Sequence, residues 1–584
     1  MLLAVPAGRR ALVALGLCHM LLLPCRAAHA EERPWWERAV FYEIYTRSFM
    51  DTNGDGVGDL NGITAKLDYL AELGIEAIWI TPFYPSPQVD FGYDVSDYEN
   101  VDPLFGTLAD FDRLLAEAHH RKIRVVTDLV LNHTSDQHPF FVESRSSRKS
   151  AKRDWYVWRN GIKGGPPNNW YSGFGPSAWT LDERTGQYYY HYFYSQQPDL
   201  NWRNPAVEAA MFKAARFWLE RGVDGFRLDA VNWLFEDQRL RDNPVLATLR
   251  EGSATEHEQE LTHNRDQPET HAVLRRLRAL CDGYGKDRLL IGEAWVPTLE
   301  QLAQYYGPKD DELQLPFNFF FTRVPKLDAP AFRAEVAKAE AILGRRPTTY
   351  GLSNHDLKRA YDRYGDGKNN DRIATLLATM LLTLRGAPFI YYGEEIGMAT
   401  AEPASLDEVR DPVGRLYWPG NKGRDGERTP MQWDGTPGAG FTTGKPWLPL
   451  PPEAATRNRA ALAADGGSIL NFYRRALQLR RKSPALLEGD YSPLGDDPDV
   501  FAYRRRSAEQ TMLVVLNMSA KARTYELPPD EITSRVEIPL FNIPLIQALG
   551  LTPTPPDGVW RGTLALPPYA AVVLKPVVLK PVKQ

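Results

Sequence analysis

Eight short apolar runs, separated by stretches with helical spacing, constrain the fold of this chain more than any other feature. They are AVFYEIYTR (39–47), IEAIWI (75–80), IRVVTDLVL (123–131), VDGFRLD (223–229), RLLIGE (288–293), LQLPFNFFF (313–321), TTYGLSNH (348–355) and APFIYYGEE (387–395). Nearly continuous apolar runs of this length are typical of strands buried on both faces, as in a parallel sheet. Eight strand–helix units predict an α/β fold, a (β/α)8 TIM barrel. An open doubly wound sheet is the alternative, and it is disfavoured because no Gly-rich phosphate loop follows the first run.

The rest of the chain departs from this rhythm in two places. A stretch from about 132 to 203 is rich in Trp, Tyr, Asn, Gly and Pro, which predicts a subdomain inserted after the third strand. From 489 to 584 the helical patterns cease and alternating runs such as VFAYRRR (500–506) indicate a C-terminal antiparallel β-sandwich domain. The catalytic barrel is then predicted to occupy 31–488.

The N-terminus has the order of a secretory signal. Two arginines at 9–10 precede an apolar stretch over 11–23, and small residues follow at 28–30. We expect residues 1–30 to be a signal peptide and the mature protein to be secreted or periplasmic; a disordered extension is the weaker alternative. The mature chain keeps only Cys281, so no intramolecular disulfide is expected.

Charge excludes some partners. The 584 residues carry a formal net charge of −5, without the basic footprint of a nucleic-acid-binding protein. The basic cluster at 144–153 is interpreted as a solvated loop, with phosphate binding as the alternative. No membrane association is expected after removal of the signal.

Three acidic residues stand at or just after the ends of predicted strands. They are Asp229, Glu293 and Asp356, and they are spaced 64 and 63 residues apart (293 − 229 and 356 − 293). A carboxylate is costly to bury unless it is paired or used, and the carboxyl ends of barrel strands surround one active centre. Two carboxylates about 5 Å apart act as nucleophile and acid/base in retaining glycosidases.

The motifs around these acids resemble those of the α-amylase superfamily of retaining glycoside hydrolases. They are DLVLNH (128–133), GFRLDAV (225–231), GEAW (292–295) and SNHD (353–356). QPDLN (197–201) is typical of the α-glucosidase and oligo-1,6-glucosidase branch. The resemblance extends from about residue 35 into the C-terminal domain.

The resemblance implies a role for each acid. Asp229 would be the nucleophile, Glu293 the acid/base, and Asp356 would bind sugar hydroxyls and help distort the ring. Arg227 precedes Asp229 by two residues, hence lies on the same face of the strand. Its charge would keep the nucleophile ionised. No catalytic cofactor is implied.

Further residues are expected to contact the sugar. His133 and His355 would hydrogen-bond it in the first subsite, Tyr93 would stack on the ring, and Asp94 would accept hydrogen bonds from a terminal glucose. Phe174, in the inserted stretch, is a candidate platform.

An arginine of GRDGERTP (423–430) joins that contact in the resembled branch. We favour Arg424 over Arg428, with a salt bridge in a surface loop as the alternative interpretation of Arg424.

The loop DTNGDGVGD (51–59) presents oxygen ligands at alternating positions. Its first half is similar to a calcium loop, but Gly62 stands where a helix–loop–helix site needs Glu. We expect a structural Ca2+ site, which the resembled glucosidases also carry, with an unmetallated turn as the alternative. The ligands would be Asp51, Asn53, Asp55, the Val57 carbonyl and Asp59.

The expected function is an exo-acting α-glucosidase that hydrolyses short α-linked gluco-oligosaccharides. In the resembled branch a small residue after the nucleophile goes with α-1,4 bonds and a bulky Val with α-1,6 bonds, so Ala230 favours α-1,4 substrates such as maltose. Relatives often have Gln-Pro-Arg where this chain has Leu-Lys-Arg at 357–359, so its leaving-group subsite is expected to differ. A glucosyl transferase or trehalose synthase-type isomerase is the alternative, and a non-catalytic transporter-associated relative is disfavoured because all three acids are present.

Overall fold

The computed structural model describes residues 33–246, 259–528, 535–542 and 562–577. Each of the eight predicted apolar runs contains a strand of one parallel sheet. Numbered along the chain, these strands are β1 (Phe41–Ile44), β2 (Ala77–Ile80), β3 (Arg124–Val130), β7 (Gly225–Asp229), β8 (Leu289–Gly292), β9 (Leu315–Pro316), β10 (Thr349–Gly351) and β11 (Ala387–Tyr391).

The strand order shows that the sheet curls into a barrel. It runs β10-β11-β1-β2-β3-β7-β8-β9, so the last strand along the chain pairs in parallel with the first, Phe389 beside Phe41. Between β9 and β10 a side-chain bond bridges the seam, because the Asn318 N–H donates to Thr349 Oγ1 at 2.8 Å. This near-closed barrel confirms the TIM-barrel prediction, since an open doubly wound sheet would not bring its last strand back to its first.

Helices alternate with these strands and cover the barrel. One of them begins with a capping box, in which the side chains of Thr107 and Asp110 each accept from the other residue's backbone N–H. Another ends where Gly74 adopts a left-handed φ of 103°, a conformation that glycine adopts without strain. The helices are α1 (Thr46–Phe49), α2 (Leu60–Ala65), α3 (Leu67–Leu73), α4 (Leu108–His120), α5 (Pro139–Ser146), α6 (Pro205–Arg221), α7 (Glu269–Asp282), α8 (Leu299–Gln304), α9 (Phe319–Thr322), α10 (Ala329–Leu343), α11 (Ala360–Arg363), α12 (Asn370–Thr383), α13 (Pro412–Tyr417), α14 (Arg459–Ala464), α15 (Ile469–Arg481) and α16 (Pro484–Glu488).

The stretch after β3 contains a small antiparallel sheet of its own. Its strands are β4 (Trp158–Arg159), β5 (Trp179–Asp182) and β6 (Gln187–Tyr190), in the order β4-β6-β5. Aromatic packing supports it: Trp170 and Trp179 stack with their ring centroids 6.0 Å apart. The chain returns to the barrel where the Leu200 N–H donates to the Asn132 carbonyl at 2.9 Å, directly beside the end of β3.

The C-terminal part is antiparallel, as expected. Its strands are β12 (Asp490–Pro493), β13 (Val500–Arg506), β14 (Thr511–Asn517), β15 (Arg523–Glu526), β16 (Arg535–Phe541), β17 (Thr563–Leu566) and β18 (Ala571–Val577). They form a five-stranded sheet in the order β12-β13-β14-β18-β16 and a two-stranded sheet of β15 and β17. Apolar side chains from both sheets form one buried cluster, which includes Val515 and Leu564.

A buried arginine joins this β-domain to the barrel. Arg505, on β13, donates to the carbonyls of Thr383 at 2.6 Å, Gly489 at 2.9 Å and Leu486 at 3.1 Å. Burial lowers the pKa of this guanidinium. The interface therefore depends on carbonyl oxygens aimed at one buried charge.

Three sequence expectations concern other parts of the chain. The predicted signal peptide, residues 1–30, lies outside the described residues, so export stays a prediction. Within the ranges that the structure does describe, no helix is long and apolar enough to span a bilayer. Cys281 is buried in α7.

Candidate active site

A cavity of about 590 Å³ lies at the carboxyl-terminal ends of the barrel strands, and Asp229, Glu293 and Asp356 all line it. β7 ends at Asp229, and Glu293 follows the last residue of β8. Asp356 comes five residues after β10, on the loop that leads to α11. The barrel thus brings together three acids that are far apart in sequence.

Arg227 connects the first two acids. Its Nη1 donates to Asp229 Oδ1 at 2.6 Å and to Asp128 Oδ1 at 2.9 Å, and its Nη2 donates to Glu293 Oε2. Burial raises the pKa of Asp229 well above its ordinary range, although Arg227 opposes that rise. Burial also raises the pKa of Asp128. Three carboxyls share one guanidinium here, which favours retention of a proton within the cluster.

Asp356 lies in a more positive environment than the other two acids. Its Oδ1 accepts from Arg428 at 2.8 Å and from Arg424 at 3.0 Å, and its Oδ2 is 3.3 Å from His355 Nε2. Burial alone would raise the pKa of Asp356, but His355 and the two arginines hold it well below its ordinary range. Asp356 therefore stays ionised.

Tyr93 and the two predicted histidines form one side of the cavity. Tyr93 Oη is 3.0 Å from His355 Nε2, and the opposite nitrogen of His355 is 2.6 Å from Glu43 Oε1 on β1. His133 Nε2 is 3.1 Å from Gln197 Nε2. Burial lowers the pKa of His133 to about 4, so this imidazole is neutral near pH 7.

The structure corrects the assignment of Asp94. This residue is fully buried and is not among those that line the cavity. Its carboxylate accepts from Ser86 Oγ and from the N–H groups of Val89 and Asp90, each at 2.9 Å, so it holds its own loop in shape. Asp90 is the acid of this loop that faces the cavity.

Arg424 and Phe174 line the cavity as expected and contact each other. The guanidinium carbon lies 5.1 Å from the centre of the Phe174 ring. Arg424 also bonds Asp90 at 2.9 Å and Asp411 at 2.8 Å, in addition to Asp356. Arg428 bonds Asp356 from behind, with its side chain 1% exposed, so Arg424 is the arginine that faces the cavity.

Ala230 lines the cavity next to Asp229 in an uncommon backbone conformation. Its φ of 47° and ψ of 41° are left-handed, a region that costs free energy for residues with a Cβ atom. Its N–H points to Glu293 Oε2 at 3.4 Å. The turn after β7 thus brings the backbone beside both acids.

Sequence reasoning missed several residues of the cavity. Trp295 is the clearest, since its Nε1 donates to Glu293 Oε1 at 2.6 Å. A signal was available, because Trp295 stands two residues after Glu293. Asp411 does not itself line the cavity and had no such signal: it caps α13 and binds Arg424, which does line the cavity. Arg265 and Arg323 also line the cavity, and so does Leu357, the first residue of the stretch expected to change the leaving-group subsite.

The loop predicted to bind calcium is held by its own hydrogen bonds. Both oxygens of Asp51 accept, from the N–H groups of Asn53, Gly54 and Gly56 and from the Thr442 hydroxyl. The carboxylate and carbonyl oxygens of this loop are hard ligands of the kind that Ca2+ binds. Nevertheless, no group of three or more His, Cys, Asp or Glu side chains is arranged for a metal ion in the described ranges. The calcium site stays a prediction.

Comparison with protein families assigns the chain. The model of the α-amylase catalytic domain matches residues 43–489, which include all the strands of the barrel except the first two residues of β1. The chain belongs to the α-amylase family. It is a glycoside hydrolase, in agreement with the family that its motifs resemble.

Individual α-amylase family members are similar over most of the chain. A probable alpha-glucosidase of Rhizobium meliloti (strain 1021) is 45% identical over 508 residues, 85% of this chain and 92% of that protein. An oligo-1,6-glucosidase of Parageobacillus thermoglucosidasius is 38% identical over 551 residues, 88% of this chain and 96% of that protein. Among solved structures, the alpha-glucosyl transfer enzyme XgtA superposes with a TM-score of 0.85 at 41% identity, covering 93% of this chain and all of XgtA.

Proposed function

We propose that this glycoside hydrolase is an exo-acting, retaining α-glucosidase that cleaves short α-linked gluco-oligosaccharides, with α-1,4 bonds favoured. One observation carries the proposal: Asp229 and Glu293 bond adjacent nitrogens of the same guanidinium, that of Arg227. This keeps the two carboxyls close together. Inverting glycosidases separate theirs by about 6.5–9.5 Å to admit a water molecule between the general base and the sugar.

The three acids are assigned different roles, as in the family that the motifs resemble. Asp229, at the end of β7, would attack the anomeric carbon. Glu293 would protonate the leaving oxygen and later remove a proton from water. Asp356, kept ionised by His355 and two arginines, would bind sugar hydroxyls without taking up a proton.

The exo mode of action is supported by the residues around Arg424, on the side of the cavity where the non-reducing end of the sugar would bind. Arg424 is tied to Asp90, Asp356 and Asp411, and its guanidinium lies over Phe174. Such a network would block a sugar chain from extending past the terminal glucose. It also offers paired charges to several hydroxyl groups of that ring.

The preference for α-1,4 bonds rests on Ala230, whose methyl group leaves space on the leaving-group side. A glucosyl transferase or an isomerase acting through the same intermediate is the second candidate. It is supported by the likeness to a solved enzyme named for α-glucosyl transfer, and by the apolar Leu261, Trp233 and Leu357 in the cavity lining, which disfavour water. Action on sugars outside the cell, through the predicted signal, is part of the proposal.

The roles of the acids are tested with Asp229→Asn and Glu293→Gln. We expect D229N to abolish hydrolysis of p-nitrophenyl α-glucoside and E293Q to lower maltose hydrolysis by about 10²–10⁴-fold. Asp68→Asn and Glu117→Gln change exposed carboxylates far from the cavity in the same way and should retain wild-type rates. Retention would appear as initial release of the α-anomer in proton NMR. Full activity of D229N, or release of the β-anomer, would refute the mechanism.

Product analysis tests the substrate. Maltose, isomaltose and sucrose are incubated separately, and the products are separated by chromatography. We expect glucose from maltose faster than from isomaltose, and few longer products at low substrate concentration. Trehalose or trehalulose as the main product would favour the isomerase instead.

A further inference from the structure

Trp295 contacts the acid/base candidate directly. Its indole N–H donates to Glu293 Oε1 at 2.6 Å, while Oε2 of the same carboxyl accepts from Arg227 Nη2. The two oxygens of Glu293 therefore have different partners. One faces an indole, and the other faces the guanidinium that also holds Asp229.

The indole itself is firmly held. Its ring stacks on Phe319 with the centroids 4.0 Å apart and the planes 3° from parallel. The guanidinium carbon of Arg323 lies 4.1 Å from its ring centre. Asn232 binds its backbone on both sides, accepting from the Trp295 N–H at 3.2 Å and donating to its carbonyl at 3.0 Å. An indole fixed in this way can orient the carboxyl that it bonds.

The chemistry of the indole fixes how Oε1 of Glu293 bonds. An indole N–H can only donate, so Oε1 must accept. Oε2 likewise accepts, from the donor-only guanidinium of Arg227 and from the Ala230 N–H. The indole therefore fixes one end of a carboxyl whose other end is held by Arg227, and so sets the orientation of Glu293.

We propose that Trp295 is a positioning residue whose indole N–H holds the Glu293 carboxyl in the orientation from which it protonates the glycosidic oxygen. This rests on the proposed function. In the first step the Glu293 proton moves to the glycosidic oxygen as the bond from that oxygen to C1 breaks. The bonding pair stays on the leaving sugar, and a carboxylate oxygen of Asp229 forms the new bond to C1.

The test compares a substrate that needs the proton with one that does not. Maltose has a poor leaving group, whereas fluoride leaves α-glucosyl fluoride with little protonation. The quantity measured is kcat/KM, which reports the steps up to and including formation of the covalent intermediate. In Trp295→Phe, which keeps a ring between Phe319 and Arg323 but removes the N–H, we expect maltose kcat/KM to fall by about 10- to 100-fold. The value for the fluoride should stay within about threefold.

Trp233→Phe is the matched control. Trp233 lines the same cavity, but its Nε1 has no hydrogen-bond partner among the described residues. Loss of this indole should change both substrates by similar factors. Phe319→Leu is a second variant, which loosens the stack and keeps the N–H; we expect the same selective loss on maltose, only smaller.

Equal losses on both substrates in W295F would overturn the proposal, as would a W233F variant with the same selectivity as W295F. If W295F does not fold, judged by its Tm, a nonselective loss in F319L overturns it. Failure of the proposed function would look different, because wild-type protein would then not hydrolyse maltose or D229N would remain active.

Discussion

Ala230 shows how one residue connects the backbone to the chemistry. Its left-handed conformation turns the chain directly after Asp229, and the next N–H, that of Val231, donates to the Glu293 carbonyl at 3.0 Å. Left-handed backbone costs about 1–2 kcal/mol for a residue with a Cβ atom. The hydrogen bonds from the backbone of Ala230 and Val231 to Glu293 hold this left-handed conformation in place. The conformation therefore helps to fix the spacing of Asp229 and Glu293.

The size of this residue is expected to set the choice of linkage. In Ala230→Val two added methyl groups would narrow the leaving-group side, so maltose kcat/KM should fall more than isomaltose kcat/KM. The Tm should also fall, because a β-branched residue is strained at a φ of 47°. Ala230→Gly, which removes the strain and adds no bulk, should keep the maltose preference and the Tm. An unchanged ratio of the two substrates in A230V would contradict this account.

At the same scale, the sequence predicts some site residues and not others. Asp229 and Glu293 are predictable because a carboxylate at the end of a buried strand has one direction in which to point. Asp94 was assigned wrongly because its loop carries two acids, Asp90 and Asp94, with similar surroundings in sequence. The loop's hydrogen bonds to Ser86 and backbone N–H groups turn Asp94 inward. Such a choice is made by three-dimensional contacts.

Among the elements, the turn between α1 and α2 is held on two sides. The Asp59 side chain caps α2 by accepting from the Gly62 N–H at 2.7 Å, and Asp51 accepts from Thr442, far along the chain. Asn53 and Asp55 are exposed, with their oxygens toward neighbouring side-chain and backbone N–H groups. The turn therefore joins the first βα unit to the loop before α14.

Calcium binding by this turn would appear in thermal stability. After treatment with EGTA, we expect calcium at about 1 mM to raise the Tm, since a ligand at 100 times its Kd stabilises the folded state by about 2.7 kcal/mol. Asp55→Asn should weaken the response. Magnesium at the same concentration is the control for ionic strength. A Tm that does not respond to calcium would favour the unmetallated turn.

For the whole molecule, the buried Arg505 is the clearest link between barrel and β-domain. Its neighbour Arg506 points to the exposed side of the same strand. Removing the buried guanidinium would take a donor from three carbonyls, and each lost charged hydrogen bond costs about 1.5–3 kcal/mol.

We therefore expect Arg505→Met to lower the Tm by several degrees and to increase cleavage by protease near 489. Arg506→Met, the matched control on β13, should change the Tm by less than about 1 °C, because exposed substitutions have small effects. Differential scanning calorimetry measures both. Equal stability of the two variants would show that the interface does not depend on Arg505.

The fold was largely predictable because its signal is repeated. Eight apolar runs of similar length specify eight buried strands, and chance alternation over that many units is improbable. β9 is the exception, since only Leu315 and Pro316 of its nine-residue run form a strand. Pro316 has no N–H and the run then turns into α9, so the apolar pattern there describes a helix as well as a strand.

The bond between Glu43 and His355 spans 312 residues, and Arg428 binds the His355 carbonyl from later still. During synthesis, the strand that ends at the nucleophile Asp229 leaves the ribosome long before His355 and Arg428, the residues that surround Asp356. A fragment ending before Arg428 has most of the barrel but an incomplete pocket. Activity is therefore among the last properties that this chain acquires as it folds.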